Sequence, residues 1–284
     1  MAKVLLVVKR SRYRIFGLDR RDPDFLHMLS ANPVLAGEVL AEHDENERSA
    51  DAVRAWLTGH GVWYEERHPG AQVGEDGYSL VVTVGGDGTL LKASHLLTTV
   101  PVLGINSRPG FSVGHFCKTD AAGFAGELEA ILQGQVLPRE LARCLIRVNG
   151  EPFGVPALND VLFSSVNPAA VTEYSIRMGG REELQKSSGI WISTAAGSTA
   201  AILSAGGMKM PMEARGLQFV VREVNRNRRN HLTLLKASFE DGLEILNLTF
   251  EAGIFMDGGF VSRKLCYGDL IQPALAPDGL KIFL

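Results

Sequence analysis

Leu80-Val81-Val82-Thr83-Val84-Gly85-Gly86-Asp87-Gly88-Thr89-Leu90-Leu91 decides how this chain folds. Its first five residues are a mostly aliphatic run, as expected of a strand buried on both faces. Leu90, Leu91 and Ala93, with Leu96 and Leu97, fit one face of a helix. Between strand and helix lie three glycines around one acid. Glycine lets a backbone turn sharply and lets a ligand approach without meeting a Cβ. A strand-to-helix turn also presents free N–H groups, where an anion is favoured. A tight connection would use glycine too, but three around a carboxylate is an odd way to make one. The carboxylate would repel a phosphate unless it takes a proton or holds Mg²⁺. No Lys-Ser/Thr pair follows, so the turn is not a Walker motif, and the G-x-G-x-x-G spacing of the dinucleotide fingerprint is absent.

Outward from this turn, 4–8 and 101–105 are further continuous apolar runs, and 62–64 is a short strand candidate. Ser49 can cap a helix carrying Ala52, Val53, Trp56 and Leu57 on one face, closed by Gly59 and Gly61. Residues 11–47 are polar and broken by Pro23 and Pro33, which suggests a long connection with short helices. Strands alternating with helices imply a parallel sheet. After about Leu141 short strand candidates succeed one another: 145–148, 157–163, 173–178, 189–193, 217–221, 232–237 and 243–250. Turns such as Met178-Gly179-Gly180 and Glu240-Asp241-Gly242 separate them, as in a mainly antiparallel domain. The expected division is an α/β domain over 1–140 and a β-rich domain over 141–260.

A length of 284 residues with 45% hydrophobic content suits one large or two medium domains. The net charge of −3 gives no global attraction for nucleic acid or an acidic membrane. Cys117, Cys144 and Cys266 are odd in number and lack metal spacing, which argues for reduced thiols. The N-terminal apolar run is too short for a signal peptide, and no run reaches the roughly 18 residues of a membrane span. The expectation is a cytoplasmic protein with no membrane or nucleic-acid partner and no resident metal.

Two more stretches carry polar chemistry. Thr194-Ala195-Ala196-Gly197-Ser198-Thr199-Ala200-Ala201 follows an apolar strand. Its small residues form either a surface that a flat base or ribose can approach or a loop capping the next helix. Asn159-Asp160 sits inside an apolar segment, where at least one side chain would be costly to bury unpaired. A vicinal diol is a natural partner for this amide and carboxylate; a strand end with locally satisfied groups is the alternative.

Together the three stretches resemble the NAD kinase family, which reads Gly-Gly-Asp-Gly-Thr, then Asn-Glu in a strand, then Thr-x-x-Gly-Ser-Thr-Ala followed by Ser-Ala-Gly-Gly. Here these are 85–89, 159–160, 194–200 and 204–207. Pro101-Val102-Leu103-Gly104-Ile105-Asn106-Ser107, Gly114-His115-Phe116-Cys117 and Lys186-Ser187-Ser188-Gly189 are similar to the plant NADH kinases and animal mitochondrial NAD kinases. Met210-Pro211-Met212 and Val221-Arg222-Glu223 look plant-like in particular. The resemblance implies an N-terminal Rossmann-like α/β domain, a mainly antiparallel β domain and a tail, 261–284, returning to the first domain. It implies a homodimer with its active site at the domain junction, using ATP, Mg²⁺ and NAD or NADH. Asp87 would activate the 2′-hydroxyl of the adenosine ribose. Gly88, Asn159, Asp160, Lys186, Ser188, Thr199, Ala200 and Ser204 would bind NAD or NADH, and Gly85, Gly86, Thr89 and Arg222 the donor phosphates. Most bacterial members have Pro-Thr and a Tyr where this chain has Ala195-Ala196 and Ala201, and most members have an acid where Ser188 stands.

Gly110-Phe111-Ser112-Val113-Gly114 matches the hydrolase nucleophile elbow, which requires a strand leading in and a helix leading out. Arg222, Arg226, Arg228 and Arg229, interleaved with Asn225, Asn227 and Asn230, suggest a solvated hairpin turn. Lipid kinases of the diacylglycerol and sphingosine type and phosphofructokinases share the glycine-aspartate turn, though the 194–200 loop speaks against both. A non-catalytic dinucleotide sensor would also keep the fold.

Overall fold

The computed structural model describes residues 2–69, 74–225 and 231–284, and the chain divides into two compact units. The first comprises Met1–Arg139 with Lys281–Leu284, the second Glu140–Leu280.

In the first unit the apolar runs form β1 (Lys3–Val8), β2 (Trp63–Arg67), β3 (Leu80–Gly85), β4 (Val102–Asn106) and the short β5 (Thr119–Asp120). Strands β1, β3 and β4 are almost wholly buried, and β1 pairs parallel with both β2 and β3. The order β2-β1-β3-β4 means that the chain steps to one side of β1 and then crosses to the other. The carboxyl ends of β1 and β3 therefore flank a topological switch point, where open α/β sheets bind ligands. The C-terminal strand Leu280–Phe283 extends this sheet, in parallel with β4 through Ile282↔Val102 and Phe283↔Leu103.

Helices α1 (Pro23–Ala31), α2 (Pro33–Gly59), α3 (Asp87–Ser94) and α4 (Phe124–Leu132) belong to the same unit. The expected long connection over 11–47 is instead mostly helical. A π-helical turn spans Tyr13–Asp19, and α2 begins sixteen residues before Ser49. Both prolines occupy the first helical position, where a missing N–H costs nothing. Asp22 and Asn32 precede them, and their side chains accept from the backbone N–H of Phe25 and Leu35. The buried stripe of α2 is Val39, Glu42, Asn46, Ser49, Ala50, Val53 and Leu57. Its first half is largely polar, so hydrophobic periodicity could not reveal it.

The second unit contains two six-stranded sheets. One has the order β11 (Arg181–Ser187), β10 (Thr172–Met178), β15 (Glu244–Asn247), β18 (Leu270–Leu275), β7 (Cys144–Val148), β8 (Glu151–Ala157). The other runs β14 (Lys236–Phe239), β13 (Leu217–Val221), β12 (Ile190–Thr194), β9 (Asp160–Ser165), β16 (Ala252–Met256), β17 (Val261–Leu265). Their pairings are antiparallel, and their inner faces share one core that includes Ile146, Phe163, Tyr174, Ile192, Phe219, Ile245 and Ile254. The tail expected from residue 261 is shorter than the resemblance implied. Strands β17 and β18 stay in these sheets, and only Lys281–Leu284 belong to the first unit. Among the described residues no helix is long and apolar enough to cross a membrane.

Candidate active site

In the first unit Gly85 ends β3, Gly86 caps α3, and Asp87 is the first helical residue. The glycines differ in purpose. A Cβ on Gly85 would lie 2.2 Å from Thr89 Oγ1, and one on Gly86 2.8 Å from Ser112 Oγ. A Cβ on exposed Gly88 would meet nothing within 4 Å. The first two glycines are therefore required by packing, whereas Gly88 leaves the turn's outer face clear. Thr89 is buried against Gly85.

The half-buried Asp87 carboxylate is fixed from the other side. His115 N–H donates to Oδ2 at 3.0 Å and Phe116 N–H to Oδ1 at 2.8 Å. Each oxygen keeps lone-pair capacity for another donor. The loop that supplies these bonds is held by Asn106, whose Nδ2 donates to Ser112 O at 2.9 Å and whose Oδ1 accepts from Arg108 N–H at 3.0 Å. Gly114, at φ +65°, passes so close that a Cβ would lie 2.6 Å from Asn106 Nδ2. Asn106, Val113, Gly114, Cys117, Lys118 and Asp120 line a cleft of about 360 Å³. Burial, aided by the charge of Asp87, pushes the Cys117 thiol up to about 12, so thiolate chemistry is unavailable there. No nucleophile elbow exists at Gly110–Gly114, because neither a strand enters nor a helix leaves.

In the second unit the strand expected over 157–163 is interrupted. Strand β8 ends at Ala157 and β9 begins at Asp160, with Asn159 in the link. The link is organised by Asp257, which the sequence reading missed. This carboxylate is 1% exposed and accepts from the backbone N–H groups of Leu158 (3.0 Å), Asn159 (2.7 Å) and Asp160 (3.2 Å). The Asn159 carbonyl accepts from the N–H of Thr194 and the hydroxyl of Ser193. A Cβ on Gly197 would lie 2.0 Å from that carbonyl oxygen.

The loop 194–201 therefore presents only part of its length to solvent. Thr194, Ala195, Ala196, Gly197 and Ser198 are buried against the protein's own backbone. Thr194 Oγ1 accepts from Gly197 N–H, and Ser198 Oγ accepts from Met210 N–H. Half-buried Thr199 and Ala200 face outward, as do exposed Ala201, Leu203 and Ser204 of the short helix Ala201–Ser204. Asn159, Asp160 and the loop thus form one cluster.

Ser188 and Arg222 form another. Ser188 N–H donates to the Arg222 carbonyl at 3.1 Å and Arg222 N–H to the Gly189 carbonyl at 2.9 Å, and both residues border a cleft of about 300 Å³ with Ser164, Ser165 and Phe255. The Arg222 guanidinium lies 5.9 Å from the Trp191 ring centroid. Lys186 pairs across strands with Glu173 at 2.6 Å, on an exposed face. Of the basic cluster, Arg226, Asn227, Arg228, Arg229 and Asn230 lie outside the described residues.

Asp160 is 5% exposed, and burial together with the Asp257 charge raises its carboxyl from 3.8 to about 7. The folded chain therefore holds a proton that the unfolded chain releases between these values. Asp160 lowers stability progressively as pH rises from about 4 to about 7, and not further above that. In urea titrations Asp160→Asn should remove this component, so the variant's advantage over wild type should grow across the same window and then level off. Equal pH slopes for the two proteins would contradict the buried-carboxyl account.

A parallel sheet with a fixed carboxylate on a glycine turn at its crest, followed by two packed antiparallel sheets, suits a phosphotransferase of the glycine-aspartate class. Residues 5–136 match the family model described as the ATP-NAD kinase N-terminal domain. The chain is 38% identical over 229 residues to a probable NADH kinase of Oryza sativa subsp. japonica, covering 72% of this chain and 70% of that one. It is 37% identical over 230 residues to the NADH kinase of Arabidopsis thaliana, covering 72% of each. The fold matches the crystal structure of yeast NADH kinase complexed with NADH at a TM-score of 0.70 and 15% identity, over 99% of this chain and 83% of that one. It also matches an NAD kinase from Archaeoglobus fulgidus in complex with ATP, with TM-score 0.68, 18% identity and coverage of 99% and 93%. The chain belongs to the NAD kinase family.

Proposed function

We propose that this enzyme transfers the γ-phosphoryl group of ATP to the 2′-hydroxyl of the adenosine ribose of NADH or NAD⁺. The observation that carries the proposal is the Asp87 carboxylate, held by two backbone donors on an open glycine turn. A ribose hydroxyl is a weak nucleophile at neutral pH, and a carboxylate within hydrogen-bond reach can take its proton as the bond to phosphorus forms. Phosphoryl transfer otherwise requires positioning and charge neutralisation. In this reading Gly85, Gly86, Thr89 and Arg222 serve the donor phosphates. Gly88, Asn159, Asp160, Lys186, Ser188, Thr199, Ala200 and Ser204 serve the dinucleotide. Mg²⁺ would enter as the ATP complex. Such a metal is bound mainly by phosphates and water, with one protein carboxylate at most. A cytoplasmic homodimer completes the proposal; light scattering tests the dimer.

Asp160 is assigned to a substrate ribose as an ionised acceptor, the form that predominates above about pH 7. A hydrogen bond to a charged group is worth about 1.5–3 kcal/mol, so Asp160→Ala should weaken dinucleotide binding roughly ten- to a hundredfold. Unchanged affinity in the folded variant would make Asp160 purely structural.

The reduced dinucleotide should be accepted at least as well as the oxidised one. Oxidised nicotinamide carries a positive charge, and most relatives place an acid where this chain has Ser188. Unit charges 4 Å apart interact by ~4 kcal/mol at an effective dielectric near 20, and solvent in an open cleft reduces this to about one log unit of selectivity. Arg222, on the same cleft, opposes an added carboxylate, so Ser188→Asp should move the kcat/KM ratio toward NAD⁺ by at most about tenfold. Animal mitochondrial relatives share the Ser-Ser-Gly stretch and phosphorylate NAD⁺, so Ser188 is one determinant among several. A wild type strongly preferring NAD⁺, or an unmoved ratio in the variant, would refute the electrostatic explanation. The reading as a whole is tested by a coupled assay for NADP or NADPH beside a panel of diacylglycerol and sphingosine acceptors. Lipid phosphorylation without NADP(H) would replace it.

A further inference from the structure

The buried polar stripe of α2 lies against the switch point. Glu42 Oε1 bonds Lys9 Nζ at 2.8 Å, Asn46 Nδ2 bonds the Lys9 carbonyl at 2.8 Å, and Ser49 Oγ reaches the Ser107 carbonyl at 3.3 Å. Burying three polar side chains on one helix costs free energy unless each has a partner, and two of these three partners are on Lys9. This lysine follows β1 and donates its N–H to Val84 O at 2.9 Å, so it continues the β1–β3 ladder toward the glycine turn. Its Cβ is 3.0 Å from the point where a Gly85 Cβ would stand.

The charge is unbalanced. Lys9 and Arg12 share the single carboxylate of Glu42, while Arg10 and Arg14 share that of Asp19. In these ion pairs four cations share two carboxylates. An ammonium has three donors, and Glu42 takes one of those of Lys9, whose side chain is 37% exposed. Arg12 is more exposed, at 58%. Lysine also binds phosphate well as a mobile point charge.

We propose that Lys9 is a further ligand of the donor nucleotide, with its ammonium on non-bridging phosphate oxygens at the Gly85-Gly86 turn and Glu42 and Asn46 as positioning residues. The inference rests on the kinase reading for the identity of the anion. Its test is equilibrium titration of a non-hydrolysable Mg·ATP analogue, and separately of NADH, into wild type, Lys9→Met, Lys9→Gln and Lys9→Arg. Lys9→Met and Lys9→Gln should weaken the ATP analogue about tenfold or more and leave NADH affinity within twofold, at unchanged far-UV circular dichroism. Lys9→Arg should recover much of the loss. Lys9→Gln, which can still donate to Glu42, carries the test should Lys9→Met not fold. Equal affinity of wild type and Lys9→Gln for the analogue, parallel losses for both ligands, or a wild type that does not bind the analogue would overturn the inference. The first two would leave the kinase reading standing, since NADPH formation judges it independently.

Discussion

Asp87→Asn is expected to lower kcat by on the order of 10²–10⁴ while leaving the KM values for ATP and NADH nearly unchanged. Asparagine has the same shape, and its carbonyl can keep one of the two bonds now donated by His115 and Phe116. Its amide nitrogen would face the other N–H donor, which costs some local order, and it cannot take a proton from the ribose. Stability should fall modestly and turnover severely, which separates a chemical role from a structural one. A folded Asp87→Asn enzyme with near-normal kcat would remove Asp87 from the chemistry.

The second large effect lies at a residue that touches no assigned ligand. Asp257→Ala should destabilise the chain by about 3–6 kcal/mol, because two buried and one half-buried N–H donors lose their acceptor at roughly 1–3 kcal/mol each and water can refill only part of the space. With total stabilities of about 5–15 kcal/mol, this is a substantial fraction, on the order of 10 °C in Tm for a domain of this size. Asp241→Ala, in an exposed turn between β14 and β15, is the control and should change little. Asp257→Asn should cost less, since asparagine tolerates the observed φ of +48°. It should also lower the Asp160 carboxyl, whose elevation owes part of its size to the Asp257 charge. A melting temperature for Asp257→Ala within 2 °C of wild type would show that the 158–160 backbone does not depend on this carboxylate.

The sheet was legible because β1, β3 and β4 are buried on both faces, and such strands announce themselves as unbroken apolar runs. The glycine-aspartate turn was legible for the same reason, since it interrupts such a run. Helix α2 was legible only from Ser49 onward, because the part before it buries Glu42 and Asn46, and a buried polar stripe has no hydrophobic period. The Asp22-Pro23 and Asn32-Pro33 pairs were the available signals, a cap followed by proline at the first helical position. Asp257 was hidden differently. Followed by Gly258-Gly259 it looks like an ordinary solvated turn, and its three donors lie almost a hundred residues upstream. Gly197 carried a misleading signal. Its small size suggested access for a ligand, whereas the space is filled by the Asn159 carbonyl.

The central claim is that the acceptor is the adenosine 2′-hydroxyl of a nicotinamide dinucleotide. Phosphorus NMR of the reaction mixture tests it directly, with the purified chain incubated with ATP, Mg²⁺ and NADH. The expected result is a 2′-phosphomonoester resonance growing in step with ADP for wild type, and growing at least about a hundredfold more slowly for Asp87→Asn. ADP formed without that resonance, or a phosphomonoester on any other hydroxyl, would contradict the account.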